Sequence, residues 1–136
     1  MNHLIALVHP LSAPMGRLLL ASIFLMSAIN KIFSYLDTVS YMEAMGVSGS
    51  LLPLVILTEA IGAIAIILGW HTRLAAFILA GFTLLVTLLF HLDFSDQIQM
   101  IMFMKNIAII GAFLLLIHHG PGAFSVDRFK ERSQES

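Results

Sequence analysis

Leu51–Gly69 reads LLPLVILTEAIGAIAIILG, nineteen residues with one ionisable side chain, Glu59. A helix needs about 20 mostly apolar residues to cross a bilayer's hydrocarbon, and this stretch supplies them. Pro53 falls near its start, where the first helical turn tolerates proline. Three stretches of the same kind surround it: Arg17–Ser34, Leu74–His91 and Gln99–His118. The reading is all-α, an integral membrane four-helix bundle with spans at about 17–34, 51–69, 74–91 and 99–118.

Composition agrees. The 136 residues are 59% hydrophobic and 11% charged, with a mean hydropathy of +0.95, against about 25% charged residues in a soluble domain. The length suits a single domain, 1–136. A net charge of −1 offers no basic field for nucleic acid. With no cysteine, this chain alone supplies no disulfide, thiol redox centre or iron–sulfur ligand. Residues 1–14 do not read as a cleaved signal peptide, since Arg17 is the first basic residue and no small-x-small site follows.

Four spans put both termini and the Trp70–Arg73 loop on one side, which carries Arg17, Arg73, Arg128, Lys130 and Arg132. The opposite loops carry Asp37, Glu43, Asp93 and Asp96. The positive-inside rule therefore places the termini, and the tail 119–136, in the cytoplasm. His3–Pro14 reads as a short interfacial leader broken by Pro10 and Pro14. Tyr35–Ser50 has room for a short external amphipathic helix capped by Asp37, striped by Val39, Met42 and Met45, and ended by Gly46. Ser125 and Asp127 read as the start of a short tail helix. Small residues four apart, Ala76 and Ala80, then Ala108 and Ala112, with Ala60, Gly62, Ala63 and Ala65, predict close contact between spans.

The spans hold Lys31, Glu59 and Lys105, with Asn30, His91 and Asn106 beside them. At ~1.5 Å per residue, Lys31 lies roughly 6 Å, Lys105 about 10 Å and Glu59 about 12 Å from the outer boundary. Charges inside a membrane are costly, ~2.5–3.5 kcal/mol each at mid-helix, and mark functional sites. Three unpaired ones would consume most of a stability of about 5–15 kcal/mol. Glu59 and Lys105, deepest and opposite in sign, are the expected pair, attracting by about 4 kcal/mol at an effective dielectric of ~20. Lys31 then either snorkels outward or faces an anionic or carbonyl-bearing ligand. Thr83 and Thr87 share His91's stripe, and Ser27 and Ser34 share that of Lys31. The alternative is purely structural: a buried ion pair that only fixes helix pairing.

The remaining candidates carry less. His71, His118 and His119 gather on the inner side without a recognised ligand spacing, so no metal site is read there. His91 and His118 face opposite sides, which argues against a haem between them. Met100, Met102 and Met104 suit lipid and core packing better than a soft metal.

In order and spacing, several motifs resemble the DoxX family of small bacterial inner-membrane proteins: Asn30-Lys31, Tyr41-Met42-Glu43-Ala44-Met45-Gly46, Glu59, Gly69 with Thr72-Arg73, Phe90-His91, Met104-Lys105-Asn106, and Gly120 to Asp127. Ala28 departs from a glycine common in the family. The resemblance implies a four-helix domain in a bacterial inner membrane. Some relatives are associated with quinone-linked oxidation of sulfur compounds or with membrane oxidoreductase complexes. The functional expectation is a ligand site of Lys31, Glu59, His91, Lys105, Asn106 and Asn30, holding a quinone headgroup or similar small polar ligand in a membrane-embedded binding or redox-accessory subunit. The alternative is a structural or assembly subunit of a membrane complex, such as one with oxidoreductase subunits, without its own ligand.

Overall fold

The computed structural model describes residues 2–135, with side chains from Val8 onward. Its helices are α1 (Asn2–Phe33), α2 (Tyr35–Ala44), α3 (Leu52–Leu68), α4 (Thr72–Phe90), α5 (Gln97–His119) and α6 (Val126–Gln134), with a 3-10 turn at Gly49–Leu51 before α3. α1, α3, α4 and α5 are long and apolar enough to span a membrane. Their expected ends hold to within two residues, except at the start of α1. There the leader does not break: Pro10 and Pro14 lie inside one helix. The segment packs on the turn that follows α5: Ala13 sits against Gly122, where an added Cβ would come within 2.6 Å.

The spans alternate in direction, so one end of the bundle holds both termini and the α3–α4 turn. The other holds α2 and the α4–α5 loop. α1 packs on α3, α3 on α4 and α4 on α5. The ring closes where Phe24 of α1 meets Phe113 of α5, centroids 5.5 Å apart. Small residues bring the middle helices together: Ala63, Ala65, Ala75, Ala76 and Ala80 are buried, and Leu79 lies so near Gly62 that a Cβ there would be 2.8 Å away. The expected small-residue face of α5 is not used. Ala108 is exposed and Ala112 half-buried, because α5 turns Asn106, Ile109 and Phe113 inward, a three-and-four spacing on a different face. Most of the exposed side chains of α5, such as Ile101, Met104, Ile107, Leu114 and Leu115, are apolar, a surface suited to lipid.

α2 follows α1 with only Ser34 between. Ser34, not Asp37, occupies the N-cap, without a side-chain capping bond. Asp37 falls one turn too late to cap, within the helix's first turn. At the other end Gly46 has φ +78, with Val47 N–H donating to Met42 O at 2.8 Å and Gly46 N–H to Glu43 O at 3.0 Å. These are the two bonds of a Schellman stop, the expected end. Met42 is buried and Val39 half-buried, but Met45 points out. Tyr41 stacks on Phe90, centroids 5.6 Å apart, which lays α2 against the end of α4.

At the termini end, Gly69 closes α3 with φ +66, and a Cβ there would collide with Arg17 Nη1 and Ser125 Cβ. The tail then folds back. Asp127 accepts from His71 N–H at 2.7 Å, Thr72 N–H at 2.9 Å and the Thr72 hydroxyl at 2.8 Å. It thereby caps α4, whose N-cap His71 offers no side-chain bond of its own. Burial works to raise the Asp127 pKa, but these N–H and hydroxyl donors outweigh it and hold the carboxyl below its usual value. Ser125 caps α6 as expected, accepting from Arg128 N–H. Arg17, 3% exposed, donates from Nη2 to the Phe124 carbonyl. Its Nε and Nη1 find no acceptor among the described residues.

Candidate functional site

Near the α2 end the four spans enclose a cavity of about 190 Å³. Its lining includes Lys31, Glu59, His91, Lys105 and Asn106, five of the six residues expected from sequence, together with Ser27 and Thr83. Asn30, the sixth, is exposed and outside it, since one residue along a helix turns its side chain ~100° from Lys31.

The expected ion pair is wrong in one partner. Glu59 binds Lys31, not Lys105: Lys31 Nζ lies 3.0 Å from both Glu59 oxygens. Ser27, one turn before Lys31, donates to Glu59 Oε1 at 3.1 Å and accepts from Lys31. Neighbourhood decides this rather than depth. α1 packs directly on α3, so Lys31 is nearest although it is shallower. Lys31 therefore does not snorkel away. The pair is asymmetric, with the lysine side chain 24% exposed and the glutamate 5%.

Among the described residues Lys105 is left without a carboxylate. It is exposed, and its Nζ donates only to Met102 Sδ among them, at 3.3 Å. Met102 lies one turn toward the α2 end, so the stem of Lys105 leans toward the surface. Asn106 beside it is buried and donates to Thr87 Oγ1 at 2.9 Å. Thr87 and Thr83 give their own hydroxyl protons back to α4, to the carbonyls of Thr83 and Leu79. The Asn106–Thr87 bond thus ties α5 to α4 and fixes the amide at the cavity wall.

His91 ends α4 as its C-cap. Its Nδ1 lies 2.7 Å from Gln99 Oε1 on the first turn of α5. With the amide oxygen as acceptor, the neutral imidazole carries its proton on Nδ1, and Nε2 remains a base. Gln99 was not foreseen. The contact crosses the α4–α5 loop, and no helical spacing signals a pair that spans a turn.

Buried groups (Glu59, Thr83, Asn106) form the back of the cavity. Half-buried and exposed ones (Lys31, His91, Lys105) form its rim. The Lys31–Glu59 pair cancels, so the surplus charge is the single positive one of Lys105. Elsewhere, His118 and His119 pack edge to face, centroids 4.8 Å apart, and His71 meets Trp70 at 5.0 Å. Both pairs are at the termini end, away from this cavity.

Residues 13–92 match the family model described as DoxX. The chain belongs to the DoxX family. It is 50% identical over 113 residues to the inner membrane protein YqjF of Escherichia coli (strain K12), covering 83% of this chain and 87% of that protein. It is also 35% identical over 126 residues to the inner membrane protein YphA of the same organism, covering 88% and 90% respectively. No solved structure matches. Membership of the DoxX family agrees with the four apolar spans and places the chain among inner-membrane proteins. The part that matches the DoxX model carries Lys31, Glu59 and His91, while Lys105 and Asn106 lie beyond it on α5.

Proposed function

We propose that the cavity at the α2 end binds the headgroup of a quinone, or of a similar carbonyl-bearing lipid-soluble molecule, and that the protein serves a membrane redox system as a binding subunit. The observation that carries this reading is the convergence of Lys105, Asn106, Lys31 and His91 on one cavity with a surplus positive charge.

At ~30 Å³ per water, 190 Å³ holds about six waters' worth of volume. That is below the ~300–1,000 Å³ of sites that enclose a drug-sized ligand. A ring fits inside, and a long apolar tail stays outside among the acyl chains. Lys105, held only by a thioether, is the donor freest to turn to a carbonyl oxygen. Lys31 is positioned by Glu59 and Ser27 and supports the opposite side of the ring. Nε2 of His91 accepts or returns a proton at the rim. With the termini in the cytoplasm, as the basic loops favour, the rim faces the outer surface.

Binding of a short-chain benzoquinone to the purified protein tests the reading. Losing a hydrogen bond to a charged donor costs ~1.5–3 kcal/mol, so Lys105→Met weakens binding about ten-fold or more. Glu59→Gln weakens it less, by loosening Lys31. Equal affinity in wild type and both variants overturns the proposal.

A further inference from the structure

A second cavity, of about 730 Å³, lies at the termini end between the first turn of α4, the Gly120–Ala123 turn and α6. Its walls carry four cations, Arg73, Arg128, Lys130 and Arg132, against two acids, Asp127 and Glu131. Both acids are already engaged. Asp127 is held by His71 and Thr72, and Glu131 pairs with Arg128 at 2.8 Å. Arg73, Lys130 and Arg132 thus have no carboxylate partner among the described residues. All three are exposed on this wall.

The wall is fixed rather than a loose basic tail. α6 is tied to α3 through Asp127 N–H to Gly69 O at 2.9 Å, to α4 through the Asp127 carboxylate, and α1 reaches the same segment through Arg17 and the Phe124 carbonyl. Arg73 lies over Gly120, where an added Cβ would be 3.4 Å from its Nη2. Arg73 on α4 and Lys130 and Arg132 on α6 thus line one hollow, at the end of the bundle where α4 begins and α5 ends. Exposed apolar side chains lie at that end: Leu74, Trp70, Phe124 and Phe129 are 58%, 43%, 59% and 73% exposed. Tryptophan and phenylalanine on a basic surface helix favour the headgroup layer.

We propose that this cavity seats the phosphate of an anionic phospholipid, with Arg73, Lys130 and Arg132 as its ligands and Leu74 beside the first carbons of the acyl chains. A free phosphate anion offers the same charge but nothing for the apolar border to bury. The volume lies within the usual range for a small-molecule site.

Native mass spectrometry of the full chain in detergent, titrated with phosphatidylglycerol, cardiolipin and phosphatidylcholine, tests this. Each basic residue near an anionic surface is worth about five-fold in affinity, so three together are worth on the order of a hundred-fold. The anionic lipids are expected to remain bound and phosphatidylcholine to dissociate. Arg73→Gln alone weakens retention about five-fold, and the Arg73→Gln, Lys130→Gln, Arg132→Gln triple variant about a hundred-fold. All three positions are exposed, so the fold is retained. Equal retention of phosphatidylcholine, or wild-type retention by the triple variant, overturns the proposal. Displacement of the lipid by inorganic phosphate assigns the site to a free anion and overturns it equally.

Discussion

Single side chains decide two features of this membrane protein, and each has a measurable consequence. Removing one partner of a buried ion pair costs ~3–5 kcal/mol because the other charge is stranded. Lys31→Met strands Glu59, the more deeply buried partner, and is expected to cost about 3 kcal/mol. Glu59→Gln leaves a lysine that can still reach the surface, and costs roughly half as much. The double variant costs less than the sum, a coupling that unfolding in detergent measures directly. At the termini end, Asp127→Asn replaces a charged cap by a neutral one and is expected to cost about 1 kcal/mol. The pH dependence has a definite sign. The folded Asp127 pKa is depressed, so its stabilisation is complete above the ordinary aspartate value of ~3.9 and is lost as pH falls through the lower folded value. Acid unfolding of wild type should show this loss below about pH 4, and Asp127→Asn should lack it. The charges at Lys31, Glu59 and Lys105 could be found in the sequence because an ionisable residue stands out in an apolar run. Their pairing could not, because depth along each helix says nothing about which helices are neighbours.

Among the elements, glycines separate positions held by packing from those held by propensity. Gly69 has both a left-handed φ and a neighbouring guanidinium in the space of a Cβ. Gly69→Ala therefore costs more than the ~1–2 kcal/mol of a left-handed residue alone, and melting in detergent should fall accordingly. Gly81 and Gly111 sit in α4 and α5 with nothing within 4 Å of an added Cβ. Alanine there is neutral or stabilising, by up to about 1 kcal/mol. The span limits were legible because apolar runs end at residues with a physical reason to be there: Gly69 and Trp70, His91, and Gly120-Pro121-Gly122. The continuity of α1 through Pro10 and Pro14 was not. Proline as a helix breaker is a local rule, whereas this segment is held in place by Ala13 against Gly122. Likewise Ser34 displaced Asp37 as the start of α2, because α1 and α2 meet with no loop between them to hold a later cap.

At the scale of the whole molecule, the bundle is unevenly closed. Phe113 is fully buried against Phe24, where α1 and α5 meet. Nearer the α2 end they part around the cavity that holds Lys31 and Lys105. Phe113→Ala removes the closure and is expected to cost about 3–5 kcal/mol in unfolding experiments. The four-helix architecture was legible, as was the meeting of five of the six expected site residues at one cavity, because a membrane restricts both helix length and where charge can sit. Gln99 and the Arg17–Asp127 end were not, since both depend on how chain segments return across turns. If the polar groups of the four helices form one headgroup site, as proposed, a quinone probe reacts there. Photoaffinity labelling of the intact protein with an azido-benzoquinone, mapped by mass spectrometry, tests it most directly. Label is expected on the segments around Lys31 and Lys105, suppressed by excess unlabelled quinone and by Lys105→Met. Label confined to outward residues such as Leu84 and Leu88, or unaffected by competitor, would contradict it.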